Sequence, residues 1–554
     1  MLRLRCGGMA VGVALLFVCG CSGSPSGSHQ HAAKPPAVHH PHAEESLQAG
    51  VKHPTTPKTS VALNSTTQPW KPVSQPSDVI RPSTSETQVA AIDSDDPDAV
   101  INPDMYRARR RIAGEIAEAL KIRKTFVVWI IDKTSASADV RNWAIGRMGR
   151  IASEATKLAG EGGKRAAPLA MAVVTYGSNV NFLNNDPVDP AQAEGLASAV
   201  GSETVDSPLT FTAVDQAADK FIPFRKQGYE TIFIIAADTT GKDWAQLESA
   251  IPKLRRNSIS VFGVGNAVPF YRQWHAVHLG GGPPATLILE SGQLESVDLA
   301  LPQGQGDQDL NDSGYGPWGL ERLCRKTEGA FLRFRNGSMS AGWMTDGDGS
   351  VNPELLRRYT PDYVSPQEYQ SLLSSNRAYQ ALDNAARLPR AVQANAFVTT
   401  RFGVPSEKQG GAAQLAKMIS NQQMKVADKT PEVDAIYNAL AAGQSDRAKI
   451  TSPRWQAEYD LAIGRILAAK ARIDGYNAQL AVIKQGKALK DPANHNTWVL
   501  HPSDSISAGS ALDKMAKQSA MYLNRVINEH PGTPWAEMAR REMAELPGWV
   551  LTEE

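Results

Sequence analysis

The chain has 554 residues, enough for more than one folded unit. Its formal charge of +1 gives no net field toward nucleic acid or an anionic membrane, so no nucleic-acid partner is expected. With 21% charged and 42% hydrophobic residues it has the balance of a soluble globular protein.

Arg3 and Arg5 precede an apolar run, Met9 to Val18, that is too short for an ordinary transmembrane helix. Val18-Cys19-Gly20-Cys21-Ser22 follows, with an aliphatic residue three before Cys21 and a small one directly before it. This segment resembles a bacterial lipobox. The resemblance implies a signal peptide over 1–20, lipidation of Cys21 and a lipid anchor to a membrane of the cell envelope. Ser22 favours the outer membrane in a cell that has one. The alternative is an ordinary secretory signal with an incidental cysteine. Cys6 and Cys19 leave with the signal, so an acylated mature chain has no thiol pair for an internal disulfide.

Residues 21–100 are rich in Ser, Pro, Thr, Ala and His and poor in large apolar side chains, and read as a disordered tether. His29, His31, His39, His40, His42 and His53 lie in it; a solvated linker is the simpler reading and metal scavenging the other. Tyr106 to Lys124 reads as an amphipathic helix at a domain edge, with a solvated basic face.

From residue 125 strands and helices alternate. Thr125 to Asp132 is apolar at six successive positions and then ends in an acid, as expected of a strand buried on both faces. A helix is expected over Val140 to Ala159, a strand over Leu169 to Tyr176, and short helices over Asp189 to Val200 and Thr212 to Phe221. Strands follow over Glu230 to Ala237 and Ser258 to Val264, separated by a helix from Trp244 to Arg256. Such alternation means βαβ units, a doubly wound, mostly parallel sheet and helices on both faces. Residues 268–312 break the rhythm and read as an insertion carrying a β-hairpin. A helix from Gly316 to Lys326 and a last strand resume the α/β domain, which takes in residues 101–345.

Residues 346–554 read as an all-α domain. Candidate helices are Ser365 to Ala386, Gly411 to Val426, Glu432 to Ala442, Trp455 to Lys484, Ala511 to Glu529 and Trp535 to Leu546. His530-Pro531-Gly532-Thr533-Pro534 stops one helix and starts the next, so the last two resemble a single tetratricopeptide-type hairpin.

The segment TFVVWIIDKTSAS (125–137) resembles the first strand and metal-site loop of von Willebrand factor A domains, whose pattern is Asp-x-Ser-x-Ser. The similarity covers about residues 124 to 336. It implies a metal-ion-dependent adhesion site at the carboxyl edge of the sheet, where a hard divalent ion such as Mg or Mn sits among oxygen ligands. A partner's carboxylate completes the ion's shell. Asp132 matches the first Asp, and Thr134 stands where the first Ser belongs. Ala136 stands at the second Ser and supplies no ligand; Ser135 and Ser137 each lie one position away, where a shifted loop could bring one in. Thr210 aligns with the second-loop Thr, with Thr212 as its rival, and Asp238 matches the third-loop acid, although the usual Thr-Asp-Gly is here Ala237-Asp238-Thr239. The candidate metal residues are therefore Asp132, Thr134, Thr210 and Asp238, in a degenerate form of the site. The competing reading is that Asp132, Thr210 and Asp238 cap helices and satisfy loop backbone amides.

No constellation argues for an enzyme. GEGGKR (160–165) and GVGNAV (263–268) are incomplete nucleotide-binding loops, His275 and His278 lack an HExxH partner, and Cys324 lies on an apolar helix face. The expectation is a lipid-anchored envelope protein that binds a protein or cell-surface ligand without catalysis. The alternative is a scaffold or assembly factor acting through its helical domain.

Overall fold

The computed structural model describes Asp96 and residues 102–161, 163, 166–268, 273–277, 285–289, 314–334, 352–388, 398–428, 430–506 and 509–554. The signal peptide, Cys21 and nearly all of the expected tether lie outside the described residues.

Helix α1 (Pro103–Ile122) begins at Asn102, whose side chain accepts the N–H groups of Asp104 and Met105 at 3.0 and 3.2 Å. Ile112, Ile116 and Leu120 face inward. The expected solvated basic face is solvated only in part. Arg109 is buried and paired with Asp96 and Glu154, because a guanidinium shut off from water needs carboxylate partners.

Strand β1 (Thr125–Asp132) is buried along its whole length, and its side chains divide by alternation. Val127, Trp129 and Ile131 enter one core; Phe126, Val128 and Ile130 enter another. Helices α2 (Ala138–Ala159) and α3 (Pro190–Ser198) cover the first core together with α1. Helices α4 (Thr210–Lys226), α5 (Trp244–Arg256) and α6 (Trp318–Lys326) cover the second. The other strands are β2 (Leu169–Tyr176), β3 (Val180–Phe182), β4 (Glu230–Ala236), β5 (Ser260–Asn266) and β8 (Phe331–Phe334). Their order is β3-β2-β1-β4-β5-β8, parallel throughout except for the antiparallel edge strand β3. This mixed sheet is a Rossmann-like, doubly wound arrangement. Successive strands move outward in one direction from β1 to β2 and in the other through β4, β5 and β8. The reversal at β1 and β4 is where such sheets take ligands, at the carboxyl ends of the strands.

Within the expected insertion, β6 (Gln273–Val277) pairs antiparallel with β7 (Ala285–Leu289). Its base is closed by the Val268 N–H donating to the Tyr315 carbonyl at 2.9 Å, so it leaves and rejoins the sheet at that same carboxyl edge.

The second half is mostly helical: α7 (Pro353–Tyr359), α8 (Pro366–Ser375), α9 (Arg377–Ala386), α10 (Gly411–Ala427), α11 (Thr430–Ala441), α12 (Pro453–Lys484), α13 (Ser510–Glu529) and α14 (Pro534–Ala544). The expected helix over Ser365 to Ala386 is two helices, broken at Asn376, whose extended backbone lets its side chain cap α9 at the Ala378 N–H, 2.7 Å away. The all-α expectation is also corrected. Strands β9 (Arg401–Gly403), β10 (Thr497–Ser503) and β11 (Gly548–Glu553) form an antiparallel sheet in the order β11-β10-β9. Trp498, Val499 and Leu500 are buried there. The three strands pair across long stretches of sequence, which no local periodicity reveals. The last hairpin follows the reading of its turn: the Thr533 hydroxyl accepts the Ala536 N–H at 3.3 Å, and Pro534 takes the first helical position.

Helix α12 is about 48 Å long at the standard rise per residue and is the axis of this half. Its buried Asp460 is held by Arg447 (2.9 Å) and Arg525 (3.4 Å), and its Arg465 reaches Glu542 of α14 (3.1 Å). The end of α7 and the segment after it join the two halves. Tyr359 lies in the core of α12, α13 and α14, while Tyr363 lies in the core above α6. Arg454 donates to the Tyr359 carbonyl at 3.2 Å and Arg322 donates to that of Tyr363.

Gly319 lets α6 seat on its neighbours: an added Cβ would lie 2.4 Å from Phe211 and 2.8 Å from Trp244. Gly319→Ala is therefore expected to lose about 1–3 kcal/mol of stability through overpacking, measured as a lowered midpoint in urea unfolding; an unchanged midpoint would contradict this packing.

Candidate functional site

Four strand ends bring the candidate residues together. Asp132 closes β1 and is fully buried. Its Oδ1 accepts the Thr134 N–H at 2.8 Å, and its Oδ2 accepts the Ser137 hydroxyl at 2.7 Å. The same Ser137 Oγ accepts the N–H of Asp238, two residues beyond β4, at 3.0 Å. Asp238 Oδ1 accepts the N–H of Asn266, the last residue of β5, at 2.5 Å. Thr210 opens α4, and its Oγ1 accepts the Gly241 N–H, from the same loop as Asp238, at 3.1 Å. Tyr176 closes β2 opposite Asp132 in the sheet register, with its hydroxyl beside Thr210.

The first loop is shifted by one residue relative to the pattern read in the sequence. Ser135 to Ser137 forms a single 3₁₀ turn that leaves Ser135 and Ala136 exposed and buries Ser137. Ser137, not Ala136 or Ser135, thus occupies the inner position. Thr212 is engaged elsewhere, by Asp243, which leaves Thr210 as the second-loop hydroxyl at the site. The rim is tied down from outside: Lys133 pairs with Glu203 at 2.9 Å, and the Ser135 N–H donates to the Glu203 carbonyl at 2.8 Å. Arg141, in the first turns of α2 and almost buried, donates to the Thr134 carbonyl at 2.8 Å.

The electrostatics follow from burial. Loss of water raises the Asp132 carboxyl above its usual range, opposed by hydrogen bonds from Ser137 and Thr134 and by the Arg141 charge. Asp238 is pushed up to about 7, first by burial and further by Asp132 and Asp139, against the hydrogen bond from Asn266. Burial, with Asp132 nearby, also pushes the Tyr176 phenol well up.

Two carboxylates and three hydroxyls (Asp132, Asp238, Thr134, Ser137, Thr210) are a donor set suited to a hard divalent cation. Thr134 Oγ1 and Tyr176 Oη are shut off from solvent with no hydrogen-bond partner, which fits an oxygen cradle for a cation at this edge. Among the described residues no group of three or more His, Cys, Asp or Glu side chains is placed to hold a metal ion, so any cation here depends on hydroxyls. Tyr176, Asn266, Arg141 and Asp243 were not singled out by sequence. The signal available for the first two was a polar residue ending an otherwise apolar strand.

No family model matches the chain, and no curated protein matches it. Solved structures with some likeness include an aerotolerance-related membrane protein from Bacteroides fragilis NCTC 9343 with multiple mutations to serines (11% identity, 39% of this chain and 94% of that one, TM-score 0.23). Others are the conserved hypothetical protein BatB from Bacteroides thetaiotaomicron (12%, 38% and 91%, TM-score 0.23) and an uncharacterized membrane spanning protein from Vibrio fischeri (11%, 39% and 94%, TM-score 0.14). Likeness at this level carries no argument about what the present chain does.

Asp238 binds its proton more tightly folded than unfolded, its ordinary value being 3.8. Its contribution to stability is therefore complete below that value and is lost as pH rises toward 7. The melting midpoint of cation-free protein should fall over this window, and Asp238→Asn should flatten the fall; an equally steep pH dependence in the variant would refute the assignment.

Proposed function

We propose that this chain is a lipid-anchored cell-envelope protein whose von Willebrand A-like domain binds a protein or surface partner, without catalysis, through a divalent cation. Asp132, Thr134, Ser137, Thr210 and Asp238 would hold the ion, Mg or Mn by the hardness of the ligands, and an acidic group of the partner would complete its shell. The observation that carries this reading is the Ser137 hydroxyl, which joins the Asp132 carboxylate to the Asp238 backbone and so gathers the loops after β1 and β4. It answers the main objection from sequence, the missing hydroxyl at Ala136. The domain similarity supports an interaction module and names no partner.

The division into a signal peptide (1–20), a tether (21–100), the α/β domain (101–345) and the mainly helical domain (346–554) is part of the same proposal. Anchoring would fall to Cys21 in the lipobox-like segment Val18-Cys19-Gly20-Cys21; no helix among the described residues is long and apolar enough to cross a membrane. Under the alternative, a scaffold acting through its helical half, the α/β domain is a packed structural unit and cations do not matter.

Titration of the purified protein with magnesium or manganese distinguishes the two. Saturation at a hundred times Kd should add about 2.7 kcal/mol to stability, seen as a raised melting midpoint, and Asp132→Ala should remove the gain. A wild-type midpoint indifferent to both ions would favour the scaffold. Separately, Cys21→Ser should move the protein from the membrane fraction to the soluble fraction of its host; retention in the membrane would refute lipid anchoring.

A further inference from the structure

We infer that Asp243, outside the five oxygens, is a positioning residue that holds Thr210 in register for the cation; the inference rests on the reading above. Thr212 is the third residue of α4, and its N–H and hydroxyl both donate to Asp243 Oδ2, at 2.7 and 2.8 Å. The residue preceding that helix is Leu209, whose side chain cannot cap it. Asp243 therefore supplies the missing N-cap from a different loop, with its negative charge at the positive end of the helix.

The neighbouring contacts turn this cap into a clamp on Thr210. Two residues before Asp243, the Gly241 N–H donates to Thr210 Oγ1, and the Lys242 N–H donates to Ser207 Oγ at 3.1 Å. The loops touch so closely that a Cβ on Gly241 would lie 1.7 Å from the Pro208 carbonyl oxygen. On the far side, Trp244 packs against Phe211 with ring centroids 5.6 Å apart. Residues 241–244 and 207–212 are thus joined at every step, and the side chain of Asp243 makes the strongest polar contact of the set.

A second observation ties Asp243 to the cation site and separates it from ordinary capping. Its other oxygen, Oδ1, is closed off from water and has no partner. A plain cap turns its spare oxygen to solvent; this one keeps it inside, 3.0 Å from where a Cβ on Gly241 would lie, and Gly241 is the residue whose N–H holds Thr210 Oγ1.

The test is calorimetric titration of the whole purified protein with manganese, at a temperature where every variant is folded, alongside the melting midpoint without cation. Asp243→Ala should weaken manganese binding by about tenfold or more, the size usual for residues that orient metal ligands. Asp243→Asn, which keeps an acceptor for Thr212, should restore affinity close to wild type. Thr212→Val, which removes only the hydroxyl bond, should give a smaller loss and serves if Asp243→Ala does not fold. Wild-type binding that persists unchanged in both Asp243→Ala and Thr212→Val, or in Thr212→Val when only that variant folds, would overturn this inference alone. Absence of manganese binding in the wild type would overturn the cation-site reading and this inference with it.

Discussion

One hydroxyl holds the loops at the top of the sheet together. Ser137 Oγ gives its proton to Asp132 and receives one from the backbone of Asp238, 101 residues further along. Each bond is modest by itself. Together they set the spacing between the buried Asp132 and the half-buried Asp238, whose carboxyls both lie above their ordinary range, Asp238 at about 7. The consequence is a polar, pre-assembled site, with Asp132, Thr134, Ser137 and Thr210 buried and Asp238 half-buried, at the point where the strand order reverses. Arg141, fixed on the Thr134 carbonyl, moderates the negative charge of Asp132 from there.

The edge that carries these acids is also mechanically continuous with the rest of the molecule. Phe211 follows Thr210, and Trp244 follows Asp243; their rings touch, Trp244 meets Trp318 at 5.8 Å between centroids, and Trp318 meets Tyr363 at 6.4 Å. Tyr363 has φ of +51°, a conformation costly for a bulky side chain, and is held there by burial of its ring and by Arg322 on its carbonyl. Four residues earlier, Tyr359 bonds His530 at 2.8 Å inside the helical half, where burial lowers the imidazole to about 4 and keeps it neutral. Arg454 lies over the rings of both Tyr315, at the base of the insertion, and Trp535. Aromatic and guanidinium contacts therefore run from the second and third loops of the site to the helical half.

Much of this was legible in the sequence where the signal was local. A run such as Phe126 to Ile131 admits few structures other than a strand buried on both faces, and an acid ending it in a doubly wound sheet falls at the ligand-binding edge. The same logic picked out Asp132 and Asp238; Thr210 came from the resemblance to the second loop of von Willebrand A domains. What escaped depended on geometry that spacing does not encode. A single 3₁₀ turn decided that Ser137 points inward and Ala136 outward. Strands β9 to β11 are short, and their pairing partners are remote, such as Phe402 with Trp498 and Trp498 with Glu553. Asp243 stands directly before its own helix and acts on another.

The central claim is that Ser137 completes the site in place of Ala136. The most direct measurement is manganese affinity by calorimetry for the wild type, Ser137→Ala and Ser135→Ala. The account predicts that Ser137→Ala abolishes binding and that Ser135→Ala leaves it intact. Wild-type affinity in Ser137→Ala would contradict it.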